Sequence, residues 1–337
     1  MTHTDSGAAI HPTLVPANTA WLKGFSGADS ALKSPVSVRA NSHIFRTTFN
    51  AACPLDTAVK KCLQPETGKP DPLAATTQFS ALTRVNQAFK NGASRFRVPA
   101  PYNIAPELGI FSMAWVDGKA LSDKLHHVGA VVHGAEWMHD VGAWLGYFHQ
   151  VGPLKTESVS LEQRRLRVAR PPVLTTAGVT PSRVTQALQA AAETMRHEQV
   201  AVTWLHGDCK ADNFILSGHD IYGIDLSLCH ENPVEYDLAM FFNNWDLLLY
   251  NPKLLPLWPL KKRFENAFWA GYQSTGPKVS ARYLAWVRLN FLLSPWQTLN
   301  NSTAATGNRW VMKKIYSKMA DNLTAQLLES HLIQHQP

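Results

Sequence analysis

The stretch LHGDCKADNFIL at residues 205–216, followed by IYGID at residues 221–225, decides the fold. Short apolar runs alternate here with polar residues, which predicts short strands on either side of a loop. Asp208 and Asn213 lie five residues apart in this loop, and Asp225 ends the last apolar run. We expect the loop to turn the first two side chains toward one cavity and a hairpin return to bring Asp225 opposite them.

Two acids and an amide at this spacing are suited to phosphoryl transfer from a nucleotide. The reaction needs a carboxylate that orients the attacking hydroxyl and accepts its proton, and oxygen ligands for a Mg²⁺ ion that bridges the phosphates. Asp208, Asn213 and Asp225 supply these groups. Each residue alone is better explained as a polar loop residue that satisfies its own turn, but the three together favour catalysis.

At these residues the sequence resembles the aminoglycoside phosphotransferase and choline kinase superfamily. The superfamily's catalytic loop, H-G-D-x-x-x-x-N followed by a strand ending in I-D, corresponds to residues 206–213 and the run after them. PVEYDLA at residues 233–239 is similar to its P-x-x-Y-D-L-A segment, MAWVDG at 113–118 to its hinge M-x-W-V-x-G, and LGYFH at 145–149 to its helical L-x-x-L-H. The resemblance spans roughly residues 35–275, and linked motifs in this order are more specific than any one of them.

The resemblance implies an α+β, protein-kinase-like fold of two lobes, with a small antiparallel β lobe, a larger, mainly helical lobe, and ATP between them. By position in the motifs, Asp208 would be the catalytic base, and Asn213 and Asp225 would be the Mg²⁺ ligands. His206 would be a support that holds the loop, and Lys210 would neutralise the γ-phosphate in the transition state.

The same resemblance implies a nucleotide site in the small lobe. TAVK at residues 57–60 is similar to the third-strand V-A-x-K, whose lysine contacts the α- and β-phosphates of ATP. Period-2 alternation turns Lys60 and Lys61 to opposite faces of the strand, and the face shared with Ala58 makes Lys60 the predicted ligand.

Two further segments are expected to contact the nucleotide. The turn that covers the phosphates is predicted at residues 39–43, where Asn41 and Ser42 are the expected contacts. The hinge residues Met113 and Trp115 are expected near the adenine, although Trp115 is equally explained as a core residue.

Three features depart from the superfamily's pattern. The phosphate-covering turn has no glycine, the residue that favours a close backbone approach to phosphates. The helical glutamate expected to pair with Lys60 is absent, and its place falls at Gln78 or Ser80, either of which can hydrogen-bond the lysine. The dipeptide Leu226-Ser227 follows the metal-binding aspartate, so a second metal ligand from that strand is unsupported and the number of metal ions stays open.

The pattern of elements predicts a leader and two lobes. Runs of β-prone residues between 35 and 63 predict three antiparallel strands, and Asp71-Pro72 begins an amphipathic helix that ends at Asn91-Gly92. Two further β-prone runs, at residues 96–98 and 109–116, end at a turn predicted at Asp117-Gly118. The predicted domains are a leader at residues 1–34, a small nucleotide-binding lobe at 35–116, and a helical lobe with the catalytic loop and acceptor site at 117–337.

Composition limits the class of protein and its partners. The 337 residues are 45% apolar and 17% charged, which provides a core and excludes a largely disordered protein. The net charge of +7 is spread along the chain, which disfavours nucleic acid as a partner and suits an anionic ligand. The four cysteines form no CxxC pair, the N-terminus lacks a signal-peptide pattern, and no apolar run is long enough to span a bilayer, so the cytoplasm is the expected location. The oligomeric state stays open.

The expected activity is an ATP- and Mg²⁺-dependent transfer of the γ-phosphate to a hydroxyl of a small-molecule acceptor, such as a sugar, an amino alcohol or a related metabolite. The superfamily builds its acceptor site in the last hundred residues, which contain six of the eleven tryptophans: Trp245, Trp258, Trp269, Trp286, Trp296 and Trp310. Acids become rare after Asp246, which disfavours a strongly cationic acceptor. The alternatives are a degenerate kinase-like protein that binds nucleotide or a partner without transfer, and a nucleotidyltransferase; ATP and GTP are not distinguished as donors.

Overall fold

The computed structural model describes residues 35–39, 41–48, 56–90, 92, 95–167, 181–226, 230–301 and 307–332. The predicted leader at residues 1–34, Cys53 and Cys229 lie outside this set. The described residues divide into two compact units, one made of residues up to 118 together with 222–226, the other of residues 119–221 and those from 230 onward. The predicted limits of the leader and of the two lobes stay a prediction.

The first unit is built on an antiparallel sheet. Its elements are β1 (Ser37–Arg39), β2 (Ser42–Thr48), β3 (Asp56–Cys62), α1 (Pro72–Lys90), β4 (Phe96–Arg97), β5 (Pro101–Ala105) and β6 (Ile110–Ala114). The five-stranded sheet has the order β1-β2-β3-β6-β5, and each neighbouring pair is antiparallel. The sheet buries a cluster of Phe45, Val59, Ala105 and Ile110.

Helix α1 forms where its apolar spacing predicts it. The Asp71 carboxylate accepts the backbone N–H of Ala74 at 2.9 Å, which caps the first turn, and Pro72 opens the helix. Leu82, Val85 and Phe89 recur at intervals of three and four residues and are buried.

The second unit is mainly helical. Its helices are α2 (Leu121–Leu125), α3 (Ala130–Val151), α4 (Pro181–Thr194), α5 (Glu235–Leu249), α6 (Lys261–Thr275), α7 (Ala281–Asn301) and α8 (Gly307–Leu332). Its strands are β7 (Lys119–Ala120), β8 (Lys155–Ser158), β9 (Gln199–Trp204), β10 (Phe214–Ser217), β11 (Asp220–Gly223, which crosses into the first unit) and β12 (Glu231–Pro233). β9 lies between β8 and β12 in an antiparallel sheet, and β7 pairs with β10.

Helices α3 and α6 approach closely enough to require glycine on both sides. A Cβ atom at Gly142 of α3 would lie 2.1 Å from the carbonyl oxygen of Phe268, and one at Gly271 of α6 would lie 1.9 Å from that of His139. Since backbone atoms block both positions, the two helices are held in one register.

The six C-terminal tryptophans have different environments. Three are fully buried and belong to the core: Trp245, Trp286 and Trp296. Trp258 and Trp310 are exposed by 38% and 64%. Trp269 is half-buried and lines a cavity of about 590 Å³ together with Lys278 and Arg288. The density of tryptophans in this segment therefore reflects core packing as well as surface.

Within the described residues, no helix combines the length and the apolarity that crossing a bilayer requires.

Candidate functional site

The loop that carries Asp208 follows β9, whose position is fixed by strands on both sides. The last residue pair of the β9–β12 ladder joins Trp204 to Glu231, and the backbone N–H of Leu205 then donates to the carbonyl of His230 at 2.9 Å. The chain leaves the sheet at that point. The start of the loop is thus anchored to two neighbouring strands.

Asp237, in the first turn of α5, holds the loop by its backbone. Its two carboxylate oxygens accept the N–H of His206 at 2.6 Å and the N–H of Gly207 at 2.9 Å. The side chain is 1% exposed. Because charge-assisted hydrogen bonds to a buried carboxylate are short and strong, this residue braces the loop.

A buried relay of two side chains supports Asp237. His149, near the end of α3, contacts the Asp237 carboxylate through Nε2 at 3.1 Å and the Tyr272 hydroxyl through Nδ1 at 2.8 Å. A carboxylate can only accept, so Nε2 donates to Asp237 and the Tyr272 hydroxyl donates to Nδ1 when the ring is neutral. Burial alone would raise the pKa of Asp237, but the hydrogen bond and charge of His149, together with His206 and the Gly207 N–H, lower it.

The turn before Asp208 depends on glycine. Gly207 has φ of +81°, a conformation that L-residues rarely adopt, and it reverses the chain between the braced backbone and Asp208. Cys209, on the other side of Asp208, is buried, and burial with Asp237 and Asp208 nearby raises the pKa of its thiol well above its ordinary value. A buried thiol with a raised pKa is a poor nucleophile, which is consistent with the predicted packing role of Cys209.

The side chains of Asp208 and Asn213 converge as their spacing predicts, and Lys210 joins them. The Lys210 Nζ donates to Oδ2 of Asp208 at 2.6 Å, and Nδ2 of Asn213 donates to the same oxygen at 2.9 Å and to the Asp208 carbonyl at 2.7 Å. Side-chain exposure is 29% for Asp208 and 24% for Lys210. The carboxylate is thus held from one side and open to solvent on another.

Asn213 is suited to bind a cation as well as to hold Asp208. The Asp208 carbonyl and carboxylate are both acceptors, so the Asn213 side chain must present its NH₂ group to them. Its carbonyl oxygen is then the group left to bind a cation, and within the described residues it accepts no hydrogen bond. An amide oxygen is among the ligands that Mg²⁺ takes in proteins.

His206 is buried among aromatic side chains. Its ring packs edge-on against Trp144 and Phe148, with centroid distances of 6.2 and 6.5 Å, and lies 5.8 Å from the ring of Phe214. Its Nδ1 accepts the backbone N–H of Asp208 at 3.4 Å. These contacts fit the role of a support for the loop.

In the first unit, Lys60 and Arg39 both bind the Asp225 carboxylate. The Lys60 Nζ lies 2.7 Å from Oδ1, and Nη1 of Arg39 lies 3.2 Å from Oδ2. The Lys60 side chain is 6% exposed, whereas that of Arg39 is 46% exposed. Lys61, the neighbour not chosen from the sequence, is more exposed than Lys60 and makes no ion pair within the described residues.

Asp225 itself has an unusual backbone. Its φ of +64° is the one positive value among the described non-glycine residues. Aspartate tolerates the left-handed region better than most residues, but the conformation still costs free energy. Strain of this kind is common where a side chain is held for a ligand, and the sequence carries no signal for it.

The other predicted nucleotide contacts are placed as follows. Asn41 is exposed at the β1–β2 turn, and its carbonyl accepts the N–H of Leu63 at 2.9 Å, while Ser42 is buried. Neither residue suggested as the partner of Lys60 contacts it: within the described residues, Gln78 and Ser80 form no hydrogen bond with the lysine, which binds Asp225 instead.

Trp115 lies in a polar network of the first unit. Its Nε1 donates to Asp117 at 3.1 Å, and the guanidinium of Arg46 lies 4.7 Å above its ring. Arg46 also pairs with Asp56 and Asp117. Met113, in β6, pairs with Ala58 of β3 and is half-buried. The roles of Met113 and Trp115 toward adenine stay predictions.

The residues predicted to bind Mg²⁺ carry the oxygen ligands that this ion prefers. Within the described ranges, no three His, Cys, Asp or Glu side chains form a group that could hold a metal by themselves. Mg²⁺ commonly keeps several waters and binds to one or two protein oxygens together with substrate phosphates. The Asn213 amide oxygen, in the second unit, and the Asp225 carboxylate, in the first, are each an oxygen ligand of the type that Mg²⁺ takes.

Three supporting residues were not among the predicted site residues: His149, Tyr272 and Arg39, although Arg39 begins the turn predicted to cover the phosphates. His149 closes the L-x-x-L-H pattern, so the motif marked its position but not its partner. Tyr272 lies 123 residues away from it, and Arg39 lies 186 residues from Asp225, so neither pairing has a local signal.

Comparison with known proteins identifies a family for most of the chain. The model of the phosphotransferase enzyme family, APH, matches residues 69–276. No curated protein sequence matches the chain.

Three solved structures illustrate the similarity in fold. Amicoumacin kinase hAmiN, solved in complex with AMP-PNP, Ca²⁺ and Ami, is 11% identical with a TM-score of 0.58 over 92% of this chain and 94% of that chain. A choline/ethanolamine kinase family protein from Mesorhizobium loti is 12% identical with a TM-score of 0.53 over 92% and 95%. A glucosamine kinase is 13% identical with a TM-score of 0.52 over 86% and 81%.

These identities are low, so the similarity establishes the fold, and the predicted α+β, kinase-like fold is confirmed. The superfamily resemblance read from the motifs is confirmed as well. Since the family model covers more than half of the chain, the protein belongs to the phosphotransferase enzyme family, APH.

Proposed function

We propose that the protein is an ATP- and Mg²⁺-dependent small-molecule kinase that transfers the γ-phosphate to a hydroxyl group of its acceptor. The observation that carries the proposal is the Asp208 carboxylate, which is held by Lys210 and Asn213 in a braced loop and is still 29% exposed. An aspartate that only stabilises a loop does not need access to solvent. A base that receives the proton of an acceptor must be open in this way.

Each residue then has a defined task. Asp208 orients the acceptor hydroxyl and accepts its proton as the oxygen attacks the γ-phosphorus, while Lys210 neutralises charge that develops on the phosphoryl oxygens. Asn213 and Asp225 would hold Mg²⁺, which supplies charge neutralisation at the phosphates when it is bound. Lys60 would bind the nucleotide phosphates. Most of the acceleration would come from positioning and electrostatics.

The acceptor is proposed to be a sugar, an amino alcohol or a related metabolite. Two of the similar solved structures are named for small-molecule acceptors, amicoumacin and glucosamine. In this chain the Asp246 carboxylate is already bound by Lys261 and Arg288, each at 2.6 Å, so this acid is neutralised by the protein itself. This arrangement argues against a strongly cationic acceptor at Asp246.

The alternative is a degenerate kinase-like protein that binds nucleotide without transfer. It is favoured by the Asp225 carboxylate, whose two oxygens are both occupied by cations, and by the glycine-free turn before Ser42. The intact loop around Asp208 weighs against it. Transfer of a nucleotidyl group in place of a phosphoryl group would be recognised by the mass of the product.

The deciding experiment measures ATP consumption over a panel of hydroxyl acceptors with wild type, Asp208→Asn and Asp212→Asn. Asp212 lies in the same loop and is exposed, so its variant removes the same charge without touching the base. We expect Asp208→Asn to lower kcat about 10²- to 10⁴-fold, the usual contribution of a general base, while ATP binding changes little. Asp212→Asn should retain wild-type activity.

Two outcomes would contradict the proposal. Wild-type turnover by Asp208→Asn would remove Asp208 from the chemistry. Binding of ATP by the wild type without turnover of any acceptor would favour the degenerate kinase.

A further inference from the structure

Arg39 occupies a position for which the proposed function has so far given no role. It ends β1 and pairs with Ser42 of β2, so it lies at the end of the hairpin predicted to cover the phosphates. This turn contains no glycine. A backbone that cannot approach the phosphates closely leaves a gap that a long cationic side chain is able to fill.

The charges around Asp225 are unbalanced. Lys60 and Arg39 contribute two positive charges to one carboxylate, at 2.7 Å and 3.2 Å from its separate oxygens. Lys60 is buried, whereas the Arg39 side chain is 46% exposed, so solvent borders much of it. The cluster therefore carries an excess positive charge next to solvent.

Resting on the proposed function, we propose that Arg39 is a nucleotide-binding residue whose guanidinium transfers from Asp225 to the phosphates of the bound nucleotide. A polyphosphate offers more negative charge than one carboxylate, and its paired oxygens match the planar donor fork of arginine. Once Arg39 and Lys60 bind phosphate, the Asp225 carboxylate is released and becomes available to a divalent cation.

This exchange couples two binding events. Without nucleotide, a divalent cation must compete with both cationic side chains for Asp225. With nucleotide bound, that competition is removed, so the nucleotide and the cation strengthen each other's binding, and the coupling is reciprocal. Arg39 thereby contributes to nucleotide affinity, and it makes cation binding at Asp225 depend on nucleotide binding.

A purely structural role makes the opposite prediction. If Arg39 only held Asp225 in place, its removal would free one carboxylate oxygen, divalent cations would bind more tightly without nucleotide, and ATP affinity would stay unchanged or rise. The sign of the change in ATP affinity therefore separates the two roles.

The test is calorimetric titration of the full chain with ATP, ADP and adenosine, with and without Mg²⁺, at fixed ionic strength. The variants are Arg39→Gln, Arg39→Lys and Lys61→Gln, the last removing one positive charge from β3 at a residue without an ion pair in the described part of the chain. We expect Arg39→Gln to weaken ATP binding about 10- to 100-fold, the range for a charged hydrogen bond, and to leave adenosine binding unchanged. The ATP affinity of Arg39→Lys should lie between those of Arg39→Gln and wild type, and the ATP affinity of Lys61→Gln should equal that of wild type.

The outcomes separate this inference from the proposed function. Wild-type ATP affinity in Arg39→Gln, or an equal loss in Lys61→Gln, would overturn the role of Arg39 even if the enzyme transfers phosphate. ATP binding that depends on Arg39 in a wild type without transfer would support the role and refute the kinase. Absence of nucleotide binding by the wild type would refute both.

Discussion

Asp208 owes its position to the residue before it. Gly207 donates its N–H to Asp237 and takes φ of +81°, so the chain is held on one side and reversed on the other within a single residue. A side chain at this point would strain the backbone where the loop is braced most tightly. The placement of the carboxylate thus depends on backbone geometry as much as on its own hydrogen bonds.

Replacing Gly207 with alanine tests this dependence. We expect Gly207→Ala to destabilise the fold by about 1–2 kcal/mol, the cost of the left-handed conformation, and to lower kcat at least about tenfold because Asp208 moves. Gly218→Ala is the control, since Gly218 has φ of +57° and nothing within 4 Å of an added Cβ. Urea unfolding and steady-state kinetics would show similar stability losses but a loss of kcat only at Gly207; equal kcat in the two variants would contradict the argument.

At the residue scale the sequence predicts what is local. The spacing of Asp208, Lys210 and Asn213 predicts that they share a loop, and the structure brings their side chains within hydrogen-bonding distance. The pairing of Asp225 with Arg39 joins residues 186 positions apart and has no periodic signal. The positive φ of Asp225 could not be predicted either, because the residue type does not determine the backbone conformation. The catalytic and ligand roles of these residues stay predictions.

At the scale of elements, the glycines of α3 and α6 have a meaning that neither helix shows alone. Within a helix, glycine is a poor choice and costs about 1 kcal/mol relative to alanine. Gly142 and Gly271 are required because each faces the backbone of the opposite helix at a distance that excludes a Cβ. The close contact aligns His149 of α3 with Tyr272 of α6, 2.8 Å apart, and this pair supports Asp237. Sequence periodicity predicted apolar helix faces such as that of α1 but not which helices meet.

Gly271→Ala should therefore damage both stability and the loop brace. The added Cβ would lie 1.9 Å from the His139 carbonyl oxygen, which cannot move without separating the helices, so we expect a loss of about 1–3 kcal/mol or more. Gly129→Ala, at the start of α3, adds the same atom with its nearest neighbour 3.9 Å away and should be tolerated.

Denaturant unfolding of both variants, with kcat measured under conditions where each is folded, checks this expectation. A folded Gly271→Ala protein should show reduced kcat because the His149–Tyr272 contact is disturbed. Stability of Gly271→Ala equal to that of Gly129→Ala would show that the helices adapt, and the proposed role of the close contact would be wrong.

At the scale of the whole molecule, one buried acid makes stability depend on pH. Glu235 begins α5 and is 0% exposed; its Oε1 accepts the Ser280 N–H at 2.9 Å, and the Ser280 hydroxyl donates to Glu198 at 2.7 Å. Burial, reinforced by the nearby Glu198 and only partly offset by hydrogen bonds, raises the pKa of Glu235 to about 7. A glutamate in the first turn of a helix is usually exposed and favourable, so the sequence did not indicate this burial.

The sign of the effect follows from the protons bound. Unfolding returns the pKa of Glu235 to its ordinary value of 4.5, so between pH 4.5 and about 7 the folded state holds a proton that the unfolded state has lost. The free energy of unfolding therefore falls as pH rises through this window, by up to about 3 kcal/mol for a shift of this size.

Glu235→Gln should remove that slope, because the amide keeps an acceptor for Ser280 and carries no charge. We expect the variant to gain stability relative to wild type as pH rises from 4.5 to 8, with the difference levelling off above pH 7. Urea unfolding across this range measures the difference, which cancels titrations that the two proteins share. Glu66→Gln removes the same charge from an exposed site and should follow wild type at every pH. A pH-independent difference between Glu235→Gln and wild type would mean that Glu235 stays ionised in the folded protein.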